Sequence, residues 1–373
     1  MPAPPPAPSP NRRPRWPSPA DAATPHTLRI EQFRHALRAH GALTCHEERV
    51  LRAWTAARPL ASGARHQQAE NYLPLPLRNA LPALAAELDG LARLRSSHRG
   101  DDGSERLLVE LADGQTVESV LLPRDGLCVS TQVGCAVGCL FCMTGRDGLL
   151  RQVASAEIVA QVVLARARRM VKRVVFMGMG EPAHNLDNVL EAIDILGTLG
   201  GIAHKNLVFS TVGDLRVFER LPELRVKPAL ALSLHTTKAD LREHLLPKAP
   251  KIAPDELMEL SEVYARRVGY PIQVQWTLLK GINDGDDELE AIQRLFKGKY
   301  AVLNLIPFNS LEGDDYERPD YERTVEIVRY LNHRGVLSRV RNSAGQDVEG
   351  GCGQLRARAV DADSNIVNIS RLR

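Results

Sequence analysis

The sequence predicts an α/β fold, a full or partial barrel of six strand–helix units, with a small helical unit and a β-hairpin before it. Apolar runs typical of buried strands recur along the chain, helical patterns separate most of them, and each run ends in polar or glycine-rich residues. This alternation favours a parallel sheet covered by helices. In such a barrel the ligand-binding residues lie at the carboxyl ends of the strands. The strand candidates are 127–134, 173–180, 206–213, 228–236, 272–279 and 301–309. The helix candidates are 155–170, 185–199, 254–269, 286–298 and 321–335.

The sequence divides the chain into four segments. Residues 1–25 are rich in proline, alanine and serine, a composition typical of a flexible tail. Residues 26–95 show apolar residues at helical spacing and predict an all-helical accessory domain. Residues 96–360 would form the core domain, which begins with a hairpin around the Asp-Gly turn at 113–114. Residues 361–373 would be a C-terminal tail.

Composition limits the cellular setting. The 373-residue chain has a formal net charge of only +3 and contains no run of eighteen apolar residues, so no membrane span is expected. Without an apolar signal region, we expect a cytoplasmic protein with reduced thiols. Arginine-rich runs at 11–16, 165–173 and 338–343 are interpreted as solvated helix or loop faces.

The cysteines carry the strongest functional signal. Cys135, Cys139 and Cys142 follow the spacing C-x-x-x-C-x-x-C directly after a strand candidate, and Cys128 lies seven residues upstream. Three thiolates suit an iron–sulfur cluster or zinc, but structural zinc requires a fourth ligand that no neighbouring motif supplies. A four-iron cluster held by three cysteines leaves one iron open to an external ligand. The alternative is three buried, reduced cysteines in a loop.

The cysteine motif has an aromatic residue, Phe141, before its last cysteine, and it resembles the cluster motif of radical S-adenosylmethionine (SAM) enzymes. Together with "MGMGEP", "NLDNV", "SLH" and "CGQL", residues 75–360 resemble the RlmN/Cfr family of RNA adenine methyltransferases. The resemblance implies a partial radical SAM barrel, a [4Fe-4S] cluster on Cys135, Cys139 and Cys142, and two SAM molecules that serve as methyl donor and radical source. It further implies an adenine of 23S rRNA or tRNA as substrate, with carbon 2 favoured over carbon 8.

Such chemistry needs a cysteine outside the cluster. An adenine ring carbon between two nitrogens is electron-poor and will not attack the methyl group of SAM, whereas a thiolate will. Cys352, flanked by glycines, is the candidate, and the resemblance assigns it the S-methylcysteine intermediate. The resemblance also makes Cys128 the resolving thiol, which would form a transient disulfide with Cys352. The alternatives are a passive loop cysteine at Cys352 and a buried strand residue at Cys128.

The resemblance assigns the remaining site residues. Glu118 would be the proton acceptor, although a solvent-facing hairpin glutamate is the alternative. The positions that match SAM contacts all follow strand candidates: Gly180, Glu181, Ser210, Ser233, Leu234, His235 and Asn309. Further partners would be an RNA and an electron donor such as flavodoxin or ferredoxin, with the enzyme as a monomer. The helical accessory domain and the arginine-rich runs are candidates for contact with the RNA. Two other functions stay open: a radical SAM enzyme with a non-RNA substrate, and a non-catalytic zinc-bearing RNA-binding protein.

Overall fold

The computed structural model describes residues 27–59, 68–309 and 315–357. The predicted tails at 1–25 and 361–373 lie outside these ranges. The described helices are α1 (Ile30–Ala39), α2 (Thr44–Thr55), α3 (Leu75–Gly90), α4 (Ser155–Arg166), α5 (Leu186–Thr198), α6 (Leu215–Arg220), α7 (Ala239–Leu245), α8 (Pro254–Val268), α9 (Asp286–Phe296) and α10 (Tyr321–His333). The described strands are β1 (Ala92–Arg99), β2 (Glu105–Leu111), β3 (Thr116–Leu122), β4 (Gly126–Cys128), β5 (Gln132–Gly134), β6 (Leu149–Gln152), β7 (Arg173–Phe176), β8 (Leu207–Thr211), β9 (Ala229–Ser233), β10 (Ile272–Leu278), β11 (Ala301–Pro307) and β12 (Ser338–Val340).

A run of parallel strands forms the larger part of one sheet, in the order β4-β7-β8-β9-β10-β11-β12. Neighbours in the chain are neighbours in the sheet, as expected where helices make each crossover. All six predicted strands are present, and the predicted α/β fold is confirmed. The seventh parallel strand, β12, corrects the interpretation of 338–343 as a solvated helix or loop face. Ser338 pairs with Leu303 and Val340 with Leu305, although Arg339 and Val340 remain exposed at the sheet edge.

The other end of the sheet is antiparallel. The predicted hairpin is confirmed as β2 and β3, and β3 in turn pairs with β4, so the hairpin extends the barrel sheet. β1 corrects the helical pattern that was predicted to continue to about Arg95. The exposed residues of β1 alternate with less exposed ones, the two-residue period of a strand, and β1 pairs along β2 from Ala92 to Arg99.

Two apolar cores lie against the helices. One joins residues of α1–α5 to β2–β4 and β7–β9, so the N-terminal helices pack into the same core as the sheet. The other lies under α8–α10, where Val274, Trp276, Leu303 and Leu305 are fully buried. Since side chains alternate along a strand, the residues between them face the opposite side, the interior of the partial barrel.

None of the helices within the described ranges combines the length and the apolar character that crossing a membrane demands.

Candidate functional site

A short hairpin, β5 with β6, holds the cysteine loop at residues 135–148. The Cys135 amide donates to the carbonyl oxygen of Gly148 at 2.9 Å and closes the loop at its neck. On the far side the Leu140 amide donates to the Leu245 carbonyl at 3.0 Å, which fastens the loop to the end of α7. The loop is therefore fixed at both ends by backbone hydrogen bonds.

The neck of this loop requires glycine at position 134. Gly134 has a φ of +78°, and a Cβ there would lie 2.0 Å from the Gly148 carbonyl oxygen. We expect Gly134→Ala to displace the loop and to lose most of the iron bound on reconstitution, since a positive φ costs about 1–2 kcal/mol and the clash adds to it. Gly148→Ala is the matched control, because Gly148 has a φ of +75° but a methyl group added there would meet nothing within 4 Å. Iron content per chain and thermal melting compare the two; equal iron in both variants would contradict the prediction.

A cavity at the carboxyl ends of the parallel strands collects nearly all of the predicted site. Its lining includes the three motif cysteines, Cys352 and six of the seven positions that matched SAM contacts: Cys135, Cys139, Cys142, Cys352, Gly180, Glu181, Ser210, Ser233, His235 and Asn309. Leu234 is fully buried in the second apolar core and is not part of the lining. Nothing in the local sequence of any one motif brings these residues together; the order of the strands does.

The "GMGEP" segment lies tightly against the strand before the cysteine loop. A Cβ on Gly178 would lie 2.6 Å from the Val129 carbonyl oxygen, and one on Gly180, with a φ of +101°, would lie 2.5 Å from the Gln132 side chain. The buried carboxylate of Glu181 accepts from the amides of Ala183 and Val212, each at 3.0 Å. Burial raises the pKa of Glu181 to about 7. The site thus holds a desolvated carboxyl group able to receive a cationic ligand group.

His235 connects the barrel rim to the cysteine loop. It adopts a φ of +67°, an uncommon conformation for histidine that is typical of functional sites. Its Nδ1 accepts from the Thr277 amide at 3.0 Å, which leaves Nε2 as the protonated donor. The ring packs edge-on against Phe141 with centroids 4.9 Å apart. Burial, with Arg242 adding to it, lowers the pKa of His235 to about 3, so the ring is neutral at physiological pH.

Cys352 is carried by a C-terminal strap, residues 351–357, that is tied to the cysteine loop. The Met143 amide donates to the Gly353 carbonyl and the Thr144 hydroxyl to the Leu355 carbonyl, both at 2.8 Å. A Cβ on Gly353 would lie 3.1 Å from the Phe141 carbonyl oxygen. Across the cavity, the Asn309 side chain donates to the Cys352 carbonyl at 3.0 Å. The Cys352 side chain is exposed within this anchored backbone.

Cys128 and Glu118 lie outside the lining of the cavity. Cys128 is buried on β4, near enough to Cys352 for the two thiols to interact electrostatically. Glu118 is also buried, so the alternative of a solvent-facing glutamate is wrong. Its carboxylate forms an ion pair with Arg106 at 2.7 Å and accepts from the Arg356 amide of the strap at 2.9 Å. In this conformation Glu118 fastens the strap.

The three motif cysteines form a donor set for a soft metal group. All six cysteines of the chain are free thiols, including Cys128 and Cys352. Burial raises the pKa of Cys135 to about 12 and that of Cys139 well above its usual range. Metal binding would therefore release their protons. Among the described residues, no three Cys, His, Asp or Glu side chains are grouped to bind a single metal ion. Soft thiolates on one short loop, open to a cavity, fit an iron–sulfur cluster.

Comparison with known proteins agrees with this donor set. The profile of the radical SAM superfamily matches residues 129–295, which begin just before the cysteine loop. The crystal structure of a radical SAM methyltransferase from Sphaerobacter thermophilus is 34% identical, with a TM-score of 0.77, and the match covers 89% of this chain and 98% of that one. The chain belongs to the radical SAM methyltransferases.

Sequence relatives of this radical SAM methyltransferase extend over nearly its whole length. A chain named as a probable RNA methyltransferase of Bordetella avium is 71% identical over 344 residues, 92% of this chain and 97% of the relative. Another with that name, from Ectopseudomonas mendocina, is 69% identical over 346 residues, 93% of this chain and 99% of the relative.

Some residues of the site were missed at the sequence level. Arg341, Gln275 and Met177 of the radical SAM methyltransferase also line the cavity, and Thr144 ties the strap to the loop. A signal was present for Gln275, since a polar residue interrupts the apolar run of β10 at an interior-facing position. No comparable signal marked Arg341, because it follows a strand that was not predicted.

Proposed function

We propose that this radical SAM methyltransferase methylates an adenine ring carbon in RNA, carbon 2 in preference to carbon 8, through a methylated Cys352. The observation that carries the proposal is the single cavity lined by the motif cysteines, by the SAM-matching strand ends and by Cys352. A passive loop cysteine would have no reason to be anchored there. The relatives named as probable RNA methyltransferases support RNA as the substrate class.

Cys135, Cys139 and Cys142 would hold the [4Fe-4S] cluster, and SAM would occupy the cavity between the cluster and the strand ends. When bound, this pair supplies a carbon radical by reductive cleavage of SAM. Glu181 would bind the ammonium group of SAM, which would draw the Glu181 pKa back down from about 7. Nε2 of His235 would donate to an acceptor on the same ligand.

Cys352 would first take a methyl group from one SAM by thiolate displacement, and a second SAM would supply the radical that activates it. Addition of the activated carbon to the adenine would leave a radical adduct, which must give up one electron, back to the iron–sulfur cluster, and the ring proton. RNA and enzyme would then be joined through the Cys352 sulfur. Attack by the Cys128 thiolate on that sulfur would form a Cys128–Cys352 disulfide and break the S–C bond, whose electron pair stays on the carbon and takes up a proton to complete the methyl group. An external thiol reductant would reduce the disulfide before the next cycle. Burial, followed by the nearby Cys352, raises the pKa of Cys128 to about 12, while Arg341 acts against this rise. The resolving step thus depends on deprotonating a buried thiol.

Glu118 would accept the ring proton, a role that requires movement of the strap. In the conformation of this structure, its carboxylate is committed to Arg106 and to the Arg356 amide. RNA binding would therefore have to free Glu118 from residues 356–357. We further propose a cytoplasmic monomer that receives electrons from a flavodoxin or ferredoxin.

The test is mass spectrometry of ribosomal and transfer RNA from a strain that lacks the gene. We expect one methyladenine to be missing, to return with the wild-type gene, and to stay missing with Cys139→Ala. If every methyladenine persists in the deletion strain, RNA is not the substrate and a radical SAM reaction on another molecule takes its place. If Cys139→Ala restores the methyladenine, the cluster assignment is wrong.

A further inference from the structure

Beneath the cavity, a row of polar side chains crosses the barrel interior. The register places Ser233 of β9 beside Gln275 of β10, Gln275 beside Asn304 of β11, and Asn304 beside Arg339 of β12. Ser233 and Gln275 line the cavity. The row therefore continues the cavity wall to the sheet edge at β12.

Arginines dominate the end of this row. The Arg341 guanidinium donates to the Gln275 side chain at 2.9 Å and contacts the Met177 sulfur at 3.6 Å, so it reaches from β12 across to β10 and to the end of β7. Arg339 donates to Asn304 Oδ1 at 2.7 Å. Because side chains alternate along β7, Arg173 at its start faces the same side as Met177, which Arg341 contacts. Arg173 is exposed overall, but partial desolvation of its guanidinium group, and then the charges of Arg341 and Arg339, lower its pKa. None of the three forms an ion pair with a carboxylate of the described residues, whereas other arginines of the chain, such as Arg168 and Arg151, do.

Asn304 adds an independent observation. It is fully buried, and its Nδ2 has no hydrogen-bond partner. The bond from Arg339 to Oδ1 fixes the amide orientation, so the unpartnered atom is the N–H donor. A buried donor without an acceptor is costly and rare in a folded protein, and it points to a group that arrives from outside.

We propose that this arginine-lined lumen, formed by Arg173, Arg339, Arg341 and Asn304, binds backbone phosphates of the unpaired RNA strand beside the methylated adenine. The inference rests on the proposed function. The lumen offers guanidinium groups and one amide N–H donor, and none of its arginines is ion-paired with a carboxylate in the described part of the chain. A single guanidinium group can donate two parallel hydrogen bonds to the oxygens of one phosphate. Phosphate contacts would hold the strand in register while the adenine enters the cavity.

Arg341 touches both the cavity and the lumen, so its substitution would also disturb SAM binding. Arg339 and Arg173 are exposed and do not line the cavity, and their substitution separates the two sites. Arg329 on the outer side of α10 is the matched control, since it is exposed and belongs to neither site.

The experiment measures binding of a fluorescein-labelled ten-nucleotide oligoadenylate to the full-length chain by anisotropy, between roughly 50 and 200 mM salt. We expect Arg339→Gln and Arg173→Gln each to weaken binding about five- to tenfold at low salt. Each should lower the slope of log Kd against log salt by about 0.7, the value for one lost phosphate contact on a single strand. Arg329→Gln should leave both quantities unchanged. Asn304→Leu should weaken binding while keeping or raising the melting temperature, because it removes the unpartnered donor.

The possible outcomes separate the two proposals. If both lumen variants keep the slope of Arg329→Gln while the wild-type enzyme methylates RNA, the lumen does not bind phosphate and the proposed function stands. If the slopes fall but the deletion strain lacks no methyladenine, the lumen binds polyanions and the proposed function is wrong. A melting temperature of Asn304→Leu well below that of the wild type would show that Asn304 stabilises the fold and would remove it from the phosphate site.

Discussion

Replacing Cys352 with alanine is expected to abolish RNA methylation while leaving iron content and SAM binding near those of the wild type. The side chain carries no hydrogen bond of the strap; the anchoring contacts run through the Cys352 carbonyl, which accepts from Asn309, and through the Gly353 and Leu355 carbonyls. Alanine therefore removes only the sulfur. The other thiols that line the cavity, Cys135, Cys139 and Cys142, would be committed to the cluster and could not carry the methyl group. We therefore expect activity to fall to background, a loss of at least about 10³-fold.

The measurement is transfer of labelled methyl from SAM to RNA, with iron content and SAM affinity determined on the same preparation. Cys45→Ala is the control, since Cys45 is exposed on α2, far along the chain from the cavity. Methylation by Cys352→Ala at more than a small fraction of the wild-type rate would mean that the methyl group reaches RNA by another route. Loss of iron in Cys352→Ala would instead mean that the strap is needed to hold the cysteine loop.

The sequence predicted the parts of the site that depend on spacing within a motif. Cys135, Cys139 and Cys142 are close in sequence and line one cavity, and each SAM-matching position ends a strand that was recognised from its apolar run. The carboxyl ends of parallel strands meet at one edge, so fold class alone was enough to expect Gly180, Ser210 and His235 to converge.

What the sequence could not predict depends on pairing between distant segments. β12 is three residues long and its last two residues are exposed, so it has no apolar run to reveal it. Arg341 belongs to a basic run whose sequence predicts a solvated face, and its hydrogen bond to Gln275 depends on the pairing of β12 with β11. The same holds for Glu118, whose link to the Arg356 amide joins residues 238 positions apart.

Replacing Cys128 with alanine is expected to leave methyl transfer to the RNA intact but to trap the product on the enzyme. Cys128 is buried on β4 beside Val175 of β7, and a cysteine-to-alanine change there removes little volume, so folding should tolerate it. Without the resolving thiol, the bond between the Cys352 sulfur and the new carbon has no internal nucleophile to break it. We expect labelled RNA to migrate with the protein on a denaturing gel, at up to one RNA per chain, and turnover to stop after a single cycle.

The double variant Cys128→Ala with Cys352→Ala is the control, since it lacks the sulfur that would hold the RNA and should show no retarded band. Multiple turnovers by Cys128→Ala at the wild-type rate would show that another group, or water, releases the product, and Cys128 would then be a structural residue of β4.

The pH dependence of turnover offers an independent check on the role of Cys128. Because burial raises the pKa of Cys128 to about 12, its thiolate fraction grows about tenfold per pH unit below that value. With product release as the rate-limiting step, we expect wild-type turnover to rise with pH across the range in which the protein stays folded. Formation of the trapped adduct by Cys128→Ala should not show this rise. A parallel rise in both would place the titrating group on an earlier step.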